Sequence, residues 1–112
     1  MIVEIVSLPG YEAQVSALLT EDERAAMEFS IACAPDNHPV IQGSGGFRKA
    51  RWARSGQGKS GGFRVVYFFL AEPRRIYMAT IFAKSRQETL SAADQNVLAK
   101  LAAQIKKAAK RG

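Results

Sequence analysis

Residues 41–65 carry six Lys and Arg side chains, at positions 48, 49, 51, 54, 59 and 64, and no Asp or Glu. A polyanion is the natural partner of such a stretch, and nucleic acid is the obvious one. Lys49, Arg51, Arg64 and Lys84 are the candidates for chemistry. Cutting RNA through its own 2′-OH needs a base for the hydroxyl, charge on the phosphorane and a proton for the 5′-oxygen. A lysine crowded by cations can act as base or acid, and arginine keeps its charge and grips phosphate with two parallel hydrogen bonds. Arg48, Arg54, Lys59 and Arg86 are candidates for holding the RNA. From the residues alone, a catalytic ring and a basic face that only binds are equally good readings.

Other chemistries have little support. Ala53-Arg54-Ser55-Gly56-Gln57-Gly58-Lys59-Ser60 resembles a loosened phosphate-binding loop, but it runs into Gly61-Gly62 and a strong strand rather than a helix. One His, one Cys and no acid cluster offer no zinc site, so no metal or other cofactor is expected. His38 lies in a Pro-flanked loop and reads as solvated, which removes the usual histidine acid–base from any cleavage.

The cations need a rigid support, and the pattern supplies one. Residues 47–53 and 62–71 read as two strands joined by a glycine-rich basic loop. Alternation puts Lys49 and Arg51 on one face and Ala50 and Trp52 on the other, with Trp52 against the N-terminal helices. The second of these strands is nearly apolar throughout, as expected of a central strand covered on both faces. After Glu72-Pro73-Arg74, residues 76–83 continue an antiparallel meander. Of the aromatics Phe63, Tyr67, Phe68, Phe69, Tyr77 and Phe82, one or two at most are expected to face a nucleotide.

Upstream, residues 2–6 read as a first strand, ended by Pro9-Gly10. Tyr11, Val15, Leu18 and Leu19 mark a short helix. Thr20 with Glu23 forms a capping box for a second helix from Glu21, which should stop by Ala34 because Pro35 follows. Its expected apolar side holds Ala25, Phe29, Ala32 and Cys33, with Cys33 as core filler in a reducing compartment. Downstream, Ser91 and Asp94 open a last helix with an apolar stripe of Leu90, Val97, Leu98, Leu101, Ile105 and Ala108. The expected fold is α+β in the order β-α-α-β-β-β-α, a small and mostly antiparallel sheet with two N-terminal helices and one C-terminal helix. Residues 1–112 are expected to form a single domain.

Net charge is +6, but residues 1–40 sum to −6 and residues 41–112 to +12. That segregation predicts an acidic side and a basic side. The N-terminus reads as neither signal peptide nor membrane span, so a cytoplasmic location and no membrane partner are expected.

Three blocks together are familiar: Gly43-Ser44-Gly45-Gly46-Phe47-Arg48-Lys49-Ala50-Arg51-Trp52, Gly58-Lys59-Ser60-Gly61-Gly62-Phe63-Arg64-Val65-Val66-Tyr67, and Ile81-Phe82-Ala83-Lys84. With the element order, they resemble the HigB branch of the RelE/ParE toxin superfamily. The resemblance implies the toxin of a type II toxin–antitoxin module, a metal-independent endoribonuclease that cuts translated mRNA on the 70S ribosome. It also implies a cognate antitoxin, of the helix-turn-helix type in this branch, through which alone operator DNA is contacted. Lys49, Arg51, Arg64 and Lys84 fall at basic positions of the family's site. In RelE proper a further arginine and a C-terminal tyrosine take part; their places here hold Ser85 and roughly Leu90, with Arg86 as the substitute for the arginine and nothing in place of the tyrosine. Two other readings are a ParE-like toxin that binds DNA gyrase without cutting RNA, and an inactive relative that only binds its antitoxin.

Overall fold

A computed structural model describes residues 3–53, 62–84 and 90–111. The elements are β1 (Glu4–Ser7), α1 (Tyr11–Leu18), α2 (Glu21–Cys33), β2 (Arg48–Trp52), β3 (Phe63–Leu70), β4 (Arg75–Ala83) and α3 (Ala92–Arg111). This is the expected order and an α+β fold. The four strands form one sheet in the order β1-β4-β3-β2. The β2–β3 and β3–β4 pairs are antiparallel, and β1 lies parallel to β4. No helix among the described residues is long and apolar enough to cross a membrane.

β3 is central because both of its faces are largely apolar: every residue from Phe63 to Phe68 is buried, and Arg64 is the one charged side chain among them. Its two faces build two cores. On one, Val65 and Tyr67 meet Tyr11, Val15, Met27 and Ile31 from α1 and α2. On the other, Val66 and Phe68 meet Phe47 and Leu98, Ala102 and Ile105 from α3.

The helix ends follow the sequence closely. Thr20 accepts from the Glu23 amide, and the Glu23 carboxylate accepts from the Thr20 amide. Ser91 and Asp94 exchange the same pair of bonds at the start of α3.

The buried faces of two helices differ from expectation. α2 turns Met27 and Ile31 inward, while Phe29 is 71% exposed and Cys33 is exposed as well. Cys33 is therefore not core filler. The helix rolls this way because its other neighbours form a polar lock. Arg24 donates to Glu12 at 2.6 and 2.7 Å and to Glu28 at 2.9 Å, and lies over the Tyr11 ring. The Tyr11 hydroxyl donates to Glu28 at 2.7 Å. Burial and the Glu28 carboxylate push the Tyr11 hydroxyl pKa well above its usual value. Turning Phe29 inward would carry Arg24 away from Glu12 and Tyr11 and take Met27 and Ile31 out of the core. On α3, the buried line is Leu98, Ala102 and Ile105, whereas Val97 is 58% exposed and Ala108 is exposed.

Ala102 is buried because the turn over residues 42–46 presses against α3. Gly45, at φ +78°, lies so close that a β-carbon there would stand 2.9 Å from the Ala102 Cβ and 3.3 Å from the Ala99 Cα. Lys106 Nζ donates to the Gly45 carbonyl at 2.9 Å, and the buried Ser44 hydroxyl donates to the Ile41 carbonyl at 2.7 Å. The segment leading into β2 is thus a packed hairpin: the Ile41 amide donates to the Phe47 carbonyl, and Val40 bridges Arg48.

Candidate nucleic-acid interface

The β2–β3 register places Arg51 directly opposite Arg64 and Lys49 directly opposite Val66. Across the next ladder, Arg64 stands opposite Phe82 and Val66 opposite Thr80. Facing residues in an antiparallel pair share a side of the sheet, so Arg51, Arg64 and Phe82 form one row across three strands. Lys49 and Thr80 flank it one step along, on the same face as Val66 and therefore on the α3 side. The Lys84 amide donates to the Gly62 carbonyl at 3.1 Å, which carries the β3–β4 ladder one rung past Phe63 and Ala83. By alternation Lys84 joins the Arg64 side, diagonally across from it.

The two arginines of the row differ in exposure, Arg51 being exposed and Arg64 buried. Arg64 is only 6% exposed, and its Nη1 donates to the Phe63 carbonyl at 3.4 Å. Gly62 makes the close approach of β2 and β3 at this end: a β-carbon there would stand 2.8 Å from the Trp52 carbonyl oxygen. Trp52 packs on the α1–α2 side, as expected. Among the described residues, ion pairs join Arg24 to Glu12 and Glu28 and Arg75 to Glu4, and none engages Lys49, Arg51 or Arg64. Two like charges set opposite each other repel, so the Arg51–Arg64 rung is suited to a multivalent anion laid across both.

Lys49 also lines a cleft of about 320 Å³ with Pro39, Ile41, Leu90 and Gln95. Leu90 separates it from a second groove, of about 570 Å³, on the β4 side of α3. The acidic helices α1 and α2 pack on the opposite sheet face from α3, Lys49, Arg51 and Arg64, so among the described residues much of the charge segregation carries over to two faces.

Not all the expected cations gather here. Arg48 stands opposite Tyr67 and so faces the α1–α2 side. Its Nη1 donates to the His38 carbonyl at 2.7 Å and to the Asp36 carbonyl at 3.1 Å. Together with the Tyr67 hydroxyl, which donates to the Pro35 carbonyl at 2.6 Å, it pins residues 35–38. Burial pushes that tyrosine's pKa up to about 12. His38 is half-buried rather than solvated, its ring edge-on to Tyr67 at 6.2 Å and away from the cationic row. Arg54, Lys59 and Arg86 lie outside the described residues, as does most of the loosened phosphate-loop segment. Phe82 was within reach of sequence reasoning as one of several strand aromatics, but nothing in the pattern singled it out. Thr80 carried no signal, because its position depends on an irregularity in the β3–β4 register at Val66 and Tyr67.

The family model of the RelE toxin of the RelE/RelB toxin–antitoxin system matches residues 40–112. That span runs from the hairpin through α3 and contains every described member of the cationic row. The chain belongs to the RelE toxin family: it is the toxin of a toxin–antitoxin system, and a cognate antitoxin is its partner.

Proposed function

We propose that this toxin, of the HigB branch, is a metal-independent endoribonuclease that cuts mRNA on the ribosome and so stops translation. The observation that carries the reading is the Arg51–Arg64 rung, with Lys49 two residues along β2 and Lys84 two residues past Phe82, the residue opposite Arg64 on β4. In the proposed reaction the 2′-oxygen of the RNA attacks the adjacent phosphorus, the bond to the 5′-oxygen breaks, and the products are a 2′,3′-cyclic phosphate and a 5′-hydroxyl. Arg51 and Arg64 hold the phosphorane's extra negative charge, since arginine keeps its proton. The two proton movements fall to Lys49 and Lys84, because lysine can both take and give a proton. Fixing the phosphate on sheet rather than loop supplies orientation without further ordering. The neutralising partner is a cognate antitoxin of the helix-turn-helix type, which also carries the contact to operator DNA. Residues 1–112 act as one domain in the cytoplasm.

The test is to induce the wild type and a Lys49→Ala/Arg64→Ala variant, map mRNA 5′ ends and measure supercoiling of a reporter plasmid. New translation-dependent cuts that vanish in the variant are expected. Growth arrest with intact mRNA and altered supercoiling would overturn the reading in favour of gyrase.

A further inference from the structure

The outward side of α2 carries an apolar patch that the fold holds in solvent. With Met27 and Ile31 in the core, a helix of 3.6 residues per turn sends Asp22, Ala26, Phe29 and Cys33 the opposite way, in one line along its axis. All four are exposed, as is Ala25 beside them, and Phe29 is the most exposed large apolar side chain among the described residues. The helix cannot roll to hide the ring without breaking its bonds to α1, from Arg24 to Glu12 and from the Tyr11 hydroxyl to Glu28. The patch is acidic at its amino end, where Glu21 and Asp22 are exposed. Arg24, the one base of α1 and α2, is taken up by Glu12 and Glu28.

We propose that this face of α2 docks the cognate antitoxin, through a segment whose apolar side chains cover Ala26, Phe29 and Cys33 and whose cations meet Glu21 and Asp22. An exposed aromatic ring is a common anchor of protein interfaces, and the small Ala25 and Ala26 let a partner backbone come close. Charge selects the occupant. RNA is repelled by the acids and drawn to the other sheet face, where Lys49 and Arg51 lie. A second copy of the same face is disfavoured in either direction. Parallel helices would set the acids against each other, and antiparallel ones would set them against the carbonyl end of the partner helix. A protein segment with apolar and basic residues meets neither obstacle, and the antitoxin is the protein partner that family membership supplies. The inference stands apart from the RNA-cleaving reading, since it needs only that membership.

The experiment measures alkylation of Cys33, the only cysteine of the chain, by intact mass in the free toxin and in its complex with the antitoxin. Antitoxin affinity is measured alongside for the wild type, Phe29→Ser, Asp22→Lys and Arg51→Ala. The antitoxin should shield Cys33 from the reagent. Phe29→Ser should bind it roughly 10- to 100-fold more weakly with an unchanged urea midpoint. Asp22→Lys should weaken binding at low salt and by less at high salt. Cys33 equally reactive in both states, with Phe29→Ser bound at wild-type affinity, would overturn the proposal. So would loss of binding in Arg51→Ala alone, which would put the antitoxin on the cationic row. Shielding of Cys33 in the free toxin that grows with its concentration would make the occupant a second copy and overturn it as well.

Discussion

Arg64, buried in the central strand, stands directly opposite Arg51 on β2. A sheet selected only for stability would not set two like charges on one rung, since such pairs are destabilising. Arg64→Leu should therefore raise the stability of the free toxin by about 1 kcal/mol, read from urea midpoints, while lowering RNA cleavage by about 100- to 1,000-fold. A variant that is both less stable and equally active would contradict this.

RNA binding by this face should weaken linearly on a log–log plot against salt. Arg51→Ala should reduce the slope by about 0.7, the value for one phosphate contact on a single strand. Titrations of wild type and variant between low and physiological salt check this directly. An unchanged slope would remove Arg51 from the phosphate contacts.

The Arg24 lock makes stability depend on pH at the acid end. Hydrogen bonds from Arg24 and then Ser7 hold the Glu12 carboxyl at about 2, against a usual value of 4.5. A carboxyl whose pKa is lower folded than unfolded stabilises above the unfolded value, and that stabilisation is lost as pH falls through the folded one. Urea midpoints measured from pH 6 down to 2.5 should fall more steeply below about pH 4.5 for wild type than for Glu12→Gln. The gap should narrow in high salt, because Glu12 is exposed.

The orientation of α2 can be checked by contrasting two substitutions on the same helix. Ile31→Ala empties a packed site and should cost about 2–5 kcal/mol, whereas Phe29→Ala should stay within about 0.5 kcal/mol. The exposed Cys33 should also be titratable by a thiol reagent without denaturant. A Phe29→Ala penalty matching that of Ile31→Ala would put the other face of the helix inside.

Gly45→Ala should cost about 2–4 kcal/mol. It forces a left-handed backbone on alanine and drives a methyl against α3, where the nearest atoms are at 2.9 and 3.3 Å. Chemical unfolding reads the loss, and a near-neutral result would mean that the turn does not press on the helix.

By itself the sequence determined the elements and the side of the sheet that Lys49 and Arg51 share. The two-residue period of β2 separates Lys49 and Arg51 from Ala50 and Trp52, and the capping pairs Thr20–Glu23 and Ser91–Asp94 mark helix starts through bonds between near neighbours. Such features need only a few adjacent residues to be satisfied, so they are visible in a linear pattern. The Gly-Gly-Phe-Arg blocks were legible only as a family resemblance, and the close approaches that Gly62 and Gly45 permit appear in the fold alone. What tertiary structure alone decided is how these pieces face one another. Whether Phe29 or Ile31 turns inward depends on Arg24 meeting Glu12 from another helix, a partner twelve residues away. Arg48 and Lys49 are adjacent cations, yet one pins the 35–38 segment and the other faces the cationic side, because a strand sends successive side chains to opposite faces and only the register says what waits there. The groove beside Phe82 has no local signal at all, since it is the space left where β1 ends and the register of β4 shifts.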